Sequence, residues 1–382
     1  MAGGGGVTEP LVFITGASGY LARRLARRYL GDGRDVLLAV RGLDRRRRLE
    51  RELGAEVEPA RVPTGGSSIT PGQMSFVAVD LDAEDPFSTV DEPCRRHITH
   101  MVHGAAVTRF NVEPETARRV NVEGTRHALE LARSCPSLES FGQLSTVYST
   151  GLRPGPIAEE RYDDSAGFAN AYEWSKWEAE RLVAQSDDVP WRLLRVATVV
   201  ADDDSGAVTQ YNAFHETLKL WFYGLLSLIP GQGDTPLYFV TGAFVTDAVA
   251  QLMEPGPAGG IYHVAHDRSE SLTLDQLLDV ASAEFAAVEE FAKKRILRPL
   301  LADQESFELL VDGVSSFAGS LVTQALANVM PFARQLYVAK ELDNSRLRSA
   351  LGDYRAPDPT KLVAATCAQL VASRWGRRLV DA

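Results

Sequence analysis

A turn of small residues directly after an apolar run near the N-terminus most constrains how this chain can fold. Leu11–Thr15 indicates a buried strand, and Gly16, Gly19 and Ala22 follow it at three-residue spacing. Gly16 would allow a tight turn, Gly19 would let backbone N–H groups approach a pyrophosphate, and Ala22 would let a helix pack on the strand. The pattern predicts a dinucleotide-binding turn, and a glycine-rich turn without a ligand is the alternative.

Strand and helix patterns alternate from this turn onward. A basic and apolar helical segment follows the turn, and a longer helix is predicted over Ala117–Ser134. The predicted strands are Leu11–Thr15, Asp35–Val40, Ser75–Leu81, His97–Ala106, Phe141–Val147, Trp191–Val200 and Ile261–Ala265. This alternation predicts an α/β fold with a Rossmann-type, doubly wound, mainly parallel sheet.

The same patterns suggest how the chain is divided into domains. A Rossmann dinucleotide-binding domain is predicted over residues 11–268, with a substrate-covering insertion at about 208–235. Helical patterns dominate the remainder up to about Lys340, so residues 269–382 are predicted to form a smaller, mainly helical substrate-binding portion. The glycine-rich residues 1–10 have no basic-then-apolar signal pattern and are predicted to be a disordered leader.

Charge and cysteine content narrow the class of partners. The formal net charge of −11 argues against a general nucleic-acid-binding protein, because no excess of basic residues is available to neutralise phosphates. Cys94, Cys135 and Cys367 are widely spaced, which predicts neither a disulfide framework nor a metal site, and favours a reducing, cytoplasmic location. No apolar run reaches the roughly 18 residues of a membrane span, although peripheral membrane contact stays open.

A basic run after the second predicted strand bears on the choice of cofactor. In a dinucleotide fold the group at this place meets the adenine ribose, where an acid suits a free 2′-hydroxyl and an arginine accommodates a 2′-phosphate. Arg41 occupies the place, which favours NADPH over NADH. Arg45 and Arg48 are further candidates for the phosphate, and a solvated helix start is the alternative for part of this run.

Other residues near strand ends are candidates for contacts with the cofactor. Gly104, Ala105 and Ala106 end the fourth predicted strand, and their small side chains are consistent with close approach to the ribose next to the nicotinamide. Tight packing explains these three residues about as well. The candidates around the first turn are Thr15, Gly16, Ser18, Gly19, Tyr20 and Leu21.

A tyrosine and a lysine four residues apart form a candidate catalytic pair. On a helix, Tyr172 and Lys176 would share one face, and the lysine ammonium would lower the tyrosine pKa from its usual value of about 10. This spacing alone is common on helix surfaces. Thr146 sharpens the hypothesis, because it ends the fifth predicted strand, where its hydroxyl could hydrogen-bond the same substrate oxygen as Tyr172.

Together these motifs resemble the extended short-chain dehydrogenase/reductase family, part of the NAD-dependent epimerase/dehydratase superfamily. The residues that carry the resemblance are Thr15–Ala22, Asp80–Leu81, His103–Ala106, Asn121–Thr125, Ser145–Thr146 and the pair Tyr172 and Lys176. The segments His103–Phe110 and Leu144–Thr146 are further similar to the branch of fatty acyl-CoA reductases and carrier-protein thioester reductases.

The resemblance implies a role for each matching residue. Tyr172 would be the proton donor or acceptor, Lys176 would bind the nicotinamide-ribose hydroxyls and tune Tyr172, and Thr146 would orient the carbonyl. Asp80 and Leu81 would flank the adenine.

The leading hypothesis is an NADPH-dependent reductase of an apolar carbonyl or an acyl thioester, giving an aldehyde or an alcohol. The apolar and aromatic segment Tyr211–Ile229 supports it by predicting a hydrophobic pocket, with core packing as the alternative. The thioester would be carried on CoA or on an acyl carrier protein. An NAD-dependent nucleotide-sugar epimerase or dehydratase is the alternative enzyme class, and a non-catalytic dinucleotide sensor is a third.

Overall fold

The computed structural model describes residues 11–53, 73–315, 330 and 332–376, and the predicted leader lies outside them. Two compact units make up the chain. Unit 1 consists of Met1–Ser149, Ser175–Arg195 and Thr246–Tyr262. Unit 2 consists of Thr150–Trp174, Val196–Val245 and His263–Ala382. The predicted domain boundary after residue 268 stays a prediction.

A seven-stranded sheet dominates unit 1. Its strands are β1 (Leu11–Thr15), β2 (Asp35–Val40), β3 (Met74–Ala78), β4 (Ile98–His103), β5 (Ser140–Thr146), β7 (Trp191–Val196) and β12 (Gly260–Val264). They are arranged in the order β3-β2-β1-β4-β5-β7-β12, and the pairs from β3 to β5 run parallel. The order reverses between β1 and β4, where ligands bind in doubly wound sheets. The predicted Rossmann-type fold is therefore confirmed.

The residue pattern explains why these strands form. Every residue of β1, β2 and β4 is buried, as expected of parallel strands that are covered by helices on both faces. The helices are α1 (Tyr20–Gly31), α2 (Leu43–Leu53), α3 (Glu92–His97), α4 (Pro114–Ala117), α5 (Gly124–Arg133), α6 (Ala171–Ala184), α7 (Ala213–Phe222), α8 (Gly242–Leu252), α9 (Leu274–Ala286), α10 (Glu289–Lys294) and α11 (Gln304–Ser315). Two more helices, Ser345–Ala350 and Pro359–Ala372, follow.

One predicted strand, Trp191–Val200, is wrong because it is two strands in different sheets. β7 belongs to the seven-stranded sheet, whereas β8 (Thr198–Ala201) pairs with β11 (Phe239–Thr241). At Ala197 between them, the backbone N–H donates to Val264 O at 3.1 Å. β7 is fully buried and β8 is half-buried to buried, so the apolar run continues across the break.

Unit 2 has an aromatic core between helices. Rings of Phe222, Phe285, Phe291 and Trp375 pack with centroids 5.2–6.3 Å apart. The short strands outside the large sheet are β6 (Gly155–Ile157), β8, β9 (Leu228–Pro230), β10 (Pro236–Leu237), β11, β13 (Leu272–Thr273), β14 (Leu300–Ala302) and β15 (Lys340–Leu342).

The C-terminal portion is mainly helical, as predicted, but it is not helical throughout. β14 pairs in parallel with β9, and β15 pairs in parallel with β6. These strands contain only three residues each, which is too short for a period-2 pattern to stand out from the helical pattern around them. Residues 316–329, which carry part of the predicted helical pattern, lie outside the described residues.

All three cysteines are buried free thiols. Burial raises the pKa of Cys94 to about 12, of Cys135 to about 11 and of Cys367 to about 12. Cys94 and Cys135 lie in unit 1, and Cys367 lies in helix Pro359–Ala372 of unit 2. Separately, none of the helices in the described ranges is both long enough and apolar enough to cross a membrane.

Candidate functional site

The turn between β1 and α1 is tight and packs closely against the end of β4. Gly16 has φ +70°, and a Cβ built there would lie 2.8 Å from Ala105 Cα. Gly19 precedes α1 and donates its N–H to Gly16 O at 2.8 Å. No side chain caps the start of α1, and its first turn has no acidic residue, so its N–H groups suit an anion. Ser18 lies exposed in the turn, and α1 begins with Tyr20 and Leu21.

Thr15 joins the ends of β1 and β4. Its Oγ1 accepts hydrogen bonds from the N–H groups of Gly104 and Ala105 at 3.1 and 3.2 Å, and lies 2.8 Å from His103 Nδ1. With both lone pairs of Oγ1 occupied, the hydroxyl proton must point to Nδ1, so the imidazole proton is on Nε2. Burial, followed by the charge of Lys176, lowers the pKa of His103 to about 3, so this histidine is neutral. Thr15 thus holds the segment beginning at Gly104 against the Gly16 turn.

Arg41 and Asp80 face each other beyond the ends of β2 and β3. Arg41 Nε lies 3.6 Å from Asp80 Oδ1, and both side chains are about half exposed, at 46% and 51%. Leu81, in contrast, is buried in the hydrophobic core beside Gly124. Arg48 belongs to α2, and its side chain lies outside the described part of the structure.

Helix α6 carries both Tyr172 and Lys176, which therefore share one face of the helix. Both side chains are buried. Lys176 Nζ donates to Leu144 O in β5 at 2.6 Å, two residues before Thr146. The pKa of Lys176 is lowered to about 8, because the effect of burial is larger than the opposing effect of the negative charge of Glu180. The lysine is thus fixed at the carboxyl end of β5, and the placement of Thr146 against Tyr172 stays a prediction.

Asn121 plays a structural part that the sequence motif alone did not indicate. It lies in a π-helical segment, Arg118–Glu123, between α4 and α5. Its Oδ1 accepts from Val107 N at 2.8 Å, while its Nδ2 donates to Val107 O at 3.0 Å and to Ser175 Oγ at 2.8 Å. One amide thereby ties the segment after β4 to the residue next to Lys176. An amide inside a helical pattern was the available signal.

Sequence reasoning also missed a buried ion pair. Arg195 Nη2 lies 2.7 Å from Glu180 Oε2, with side chains 1% and 6% exposed. Glu180 is one helical turn after Lys176, and Arg195 lies in the all-buried strand β7. The available signal was an arginine within an apolar strand, because buried charges are paired.

The aromatic helix of unit 2 is mostly a packing element. Leu218, Trp221 and Phe222 are buried in the core, and Trp221 Nε1 donates to Leu297 O at 3.1 Å. Core packing is therefore correct for this face of α7. Phe214 and Leu220 are partly buried against the same core, so some apolar surface remains outside it.

Known proteins share this fold and parts of this sequence. A fatty acyl-CoA reductase of Arabidopsis thaliana, described as chloroplastic, is 26% identical over 166 residues, covering 39% of this chain and 26% of that protein. Across the curated relatives it matches, the chain spans between 10% and 36% of their length.

Solved structures resemble almost the whole chain. The terminal R domain of the myxalamid PKS-NRPS biosynthetic pathway has a TM-score of 0.74 at 20% identity, covering 96% of this chain and 92% of that one. A thiolation-reductase di-domain from an archaeal non-ribosomal peptide synthetase has a TM-score of 0.69 at 16% identity, covering 96% and 76%. At these identities the likeness shows the fold alone.

A family-level match covers well over half of the chain. The profile of an NAD-binding family described as "Male sterility protein" matches residues 14–249, which include the Gly16 turn, Thr146, Tyr172 and Lys176. The chain therefore belongs to the male sterility protein family, within the extended short-chain dehydrogenases/reductases that its motifs resemble.

Proposed function

We propose that this protein is an NADPH-dependent reductase of acyl thioesters or related apolar carbonyls. The observation that carries the proposal is the fixed position of Lys176, whose Nζ is held 2.6 Å from Leu144 O one helical turn after Tyr172. A buried ammonium at that place stabilises the tyrosinate form, which makes Tyr172 a usable acid near neutral pH.

Residues of unit 1 fit a bound dinucleotide. The uncapped start of α1, with no acidic residue in its first turn, suits a pyrophosphate. Arg41 would contact the 2′-phosphate, with Asp80 orienting its guanidinium, and Lys176 would bind the nicotinamide-ribose hydroxyls. The remaining proposed contacts come from Thr15, Ser18, Gly19, Tyr20, Leu21, Arg48, Leu81, Gly104, Ala105 and Ala106. Bound NADPH supplies a hydride to the carbonyl carbon of the substrate.

The side chains handle the proton. Tyr172 donates its hydroxyl proton to the carbonyl oxygen as negative charge develops there, and Thr146 orients that oxygen through its hydroxyl. Lys176 stabilises the tyrosinate that remains. With a thioester, expulsion of the thiol gives an aldehyde, and a second reduction would give the alcohol.

The choice of an acyl thioester rests on relatives. Three curated relatives are named for fatty acyl-CoA reduction. One structural neighbour is a terminal R domain of a PKS-NRPS pathway, and another is a thiolation-reductase di-domain of a non-ribosomal peptide synthetase. We therefore propose an apolar acyl group carried on CoA or on an acyl carrier protein.

Oxidation of NADPH, followed by its absorbance, tests the proposal. The purified protein is given long-chain acyl thioesters, aldehydes, ketones and nucleotide sugars in turn. We expect turnover with acyl thioesters and a fall in kcat of about 10²–10⁴-fold in Tyr172→Phe. Conversion of nucleotide sugars without net NADPH oxidation would instead identify an epimerase. If Tyr172→Phe leaves the function of the protein intact, the protein is a non-catalytic dinucleotide sensor. Full reductase activity in Lys176→Ala would exclude the catalytic roles proposed for Thr146, Tyr172 and Lys176.

A further inference from the structure

The ion pair of Glu180 and Arg195 lies in unit 1, and Glu180 follows Lys176 by one helical turn on α6. Glu180 Oε2 accepts from Arg195 Nε at 3.0 Å and from Arg195 Nη2 at 2.7 Å, while Glu180 Oε1 is 3.2 Å from Arg195 Nε. Glu180 and Arg195 are 5% and 1% exposed. A carboxylate so deeply buried needs hydrogen-bond donors for its oxygens, and Arg195 supplies them.

The Glu180 carboxylate also accepts hydrogen bonds from residues at the end of β5 and just after it. Glu180 Oε1 accepts from Ser145 Oγ at 2.5 Å and from Ser149 Oγ at 2.6 Å. Ser149 Oγ is also 2.7 Å from Thr146 O, so its single proton lies between two acceptors. Ser145 and Ser149 flank Thr146 on both sides. Their contacts with Glu180 fix the backbone that presents the Thr146 hydroxyl.

Glu180 is also the charge that acts most directly on Lys176. Glu180 on the same helix and His103 on β4 interact electrostatically with Lys176, and Tyr172 precedes Lys176 by one helical turn. His103 is neutral, and its own pKa is lowered by Lys176. The Glu180 carboxylate is the neighbouring charge that raises the Lys176 pKa against burial.

We propose that Glu180 is a positioning residue. It holds the backbone on either side of Thr146 against α6 and keeps the buried Lys176 in its ammonium form. It acts through these two residues and does not touch the substrate. The inference rests on the proposed function for its catalytic meaning, and the protonation of Lys176 can be measured without any turnover.

The test uses the small number of lysines in this chain, which has six. Protein labelled with ¹³C at lysine Cε is titrated by NMR, and the Lys176 resonance is identified by its loss in Lys176→Arg. In Glu180→Gln we expect the Lys176 pKa to fall by about one pH unit, because a nearby opposite charge is removed. Glu180→Asp keeps the charge and should leave that pKa unchanged.

Glu178→Gln is the matched control. Glu178 is on the same helix and pairs with Arg181 at the surface, so its loss should leave the Lys176 pKa unchanged. Glu180→Gln leaves Arg195 buried without its partner, and the double variant E180Q/R195M provides a form without that isolated charge. The Lys176 pKa should also fall in the double variant, but by less than in Glu180→Gln.

Activity supplies the second readout. In Glu180→Gln we expect the alkaline limb of the plot of kcat against pH to move to lower pH. The size of this move should equal the decrease in the Lys176 pKa. In Glu180→Asp the limb should stay in place while kcat falls about tenfold, because the shorter side chain releases Ser145 and Ser149.

A Lys176 pKa that stays unchanged in both Glu180→Gln and the double variant would overturn the inference. The proposed function fails in a different way. In that case the Lys176 pKa still shifts, but no variant oxidises NADPH with any thioester.

Discussion

At Gly16 two constraints on a side chain coincide. Its φ of +70° disfavours every residue with a Cβ, and a Cβ there would also meet the backbone of Ala105 at 2.8 Å. Gly33 has a similar φ of +77°, yet a Cβ at that residue would meet nothing within 4 Å. A comparison of substitutions at Gly16 and Gly33 therefore distinguishes the cost of backbone strain from the cost of a close contact.

We predict that Gly33→Ala costs about 1–2 kcal/mol of unfolding free energy, from strain alone. Gly16→Ala should cost about 1–3 kcal/mol more and weaken NADPH binding over tenfold, because the end of β4 must move away. Urea denaturation and fluorescence titration with NADPH measure the two effects. Equal losses of stability in the two variants would contradict the role of the Ala105 contact.

Arg41 determines the expected choice between the two nicotinamide cofactors. We predict that Arg41→Ala raises the Kd for NADPH about tenfold or more and leaves the Kd for NADH nearly unchanged, because only NADPH has the 2′-phosphate. Arg126→Ala removes a comparably exposed arginine paired with Glu123 and serves as the control. Equal weakening for both cofactors would contradict the assignment.

Residues with a local reason for their identity could be predicted, and residues with distant partners could not. Gly16 was predicted because a turn between strand and helix needs it, and Lys176 because of its spacing from Tyr172. Glu180 and Arg195 pair across 15 positions between a helix and a strand. Asn121 contacts Ser175 across 54 positions. No periodic pattern connects such partners.

The π-helical segment Arg118–Glu123 is an element whose stability depends on one side chain. We predict that Asn121→Ala costs about 2 kcal/mol or more, because it leaves the Val107 backbone groups and Ser175 Oγ without their amide partner. Asn111→Ala, at an exposed loop residue, should change stability by less than about 0.5 kcal/mol. Thermal unfolding of both variants gives the comparison. Equal melting temperatures would show that the amide does not hold the segment.

Strands of the large sheet could be predicted to within a few residues, because continuous burial leaves an apolar run that ends at turn residues. The break at Ala197 could not be predicted, since the apolar run continues from the fully buried β7 into the partly buried β8. β14 could not either, because its partner β9 lies more than 70 positions earlier in the chain. Short strands gain their hydrogen bonds from such partners rather than from local propensity.

At the scale of the whole molecule, burial lowers the pKa of four histidines among the described residues, and the shifts are largest at three of them. Burial lowers the pKa of His100 to about 4, of His103 to about 3 and of His266 to about 4. Each binds a proton near pH 6.5 only when unfolded, so its contribution is present above that pH and is lost as the pH falls toward 4. Glu159 opposes them over part of this range, because burial raises its pKa to about 7.

We predict that the unfolding free energy decreases between pH 6.5 and pH 4, since the four histidines outweigh Glu159 and Glu173, the two buried carboxyl groups whose pKa is raised. In His100→Gln the decrease should be smaller by about 3 kcal/mol, corresponding to the His100 shift from 6.5 to about 4. His127→Gln, at a half-buried histidine of α5, is the control. Urea denaturation at several pH values measures the slopes, and parallel curves for the wild type and His100→Gln would contradict the prediction.

The buried thiols give the molecule internal reporters of local opening. A thiol reacts with an alkylating reagent as its thiolate, and burial together with a raised pKa suppresses that form at Cys94, Cys135 and Cys367. Their rates of modification therefore measure how often each surrounding region opens. Two of these cysteines lie in unit 1 and one lies in unit 2. A single labelling experiment therefore measures local opening in each unit without an introduced probe.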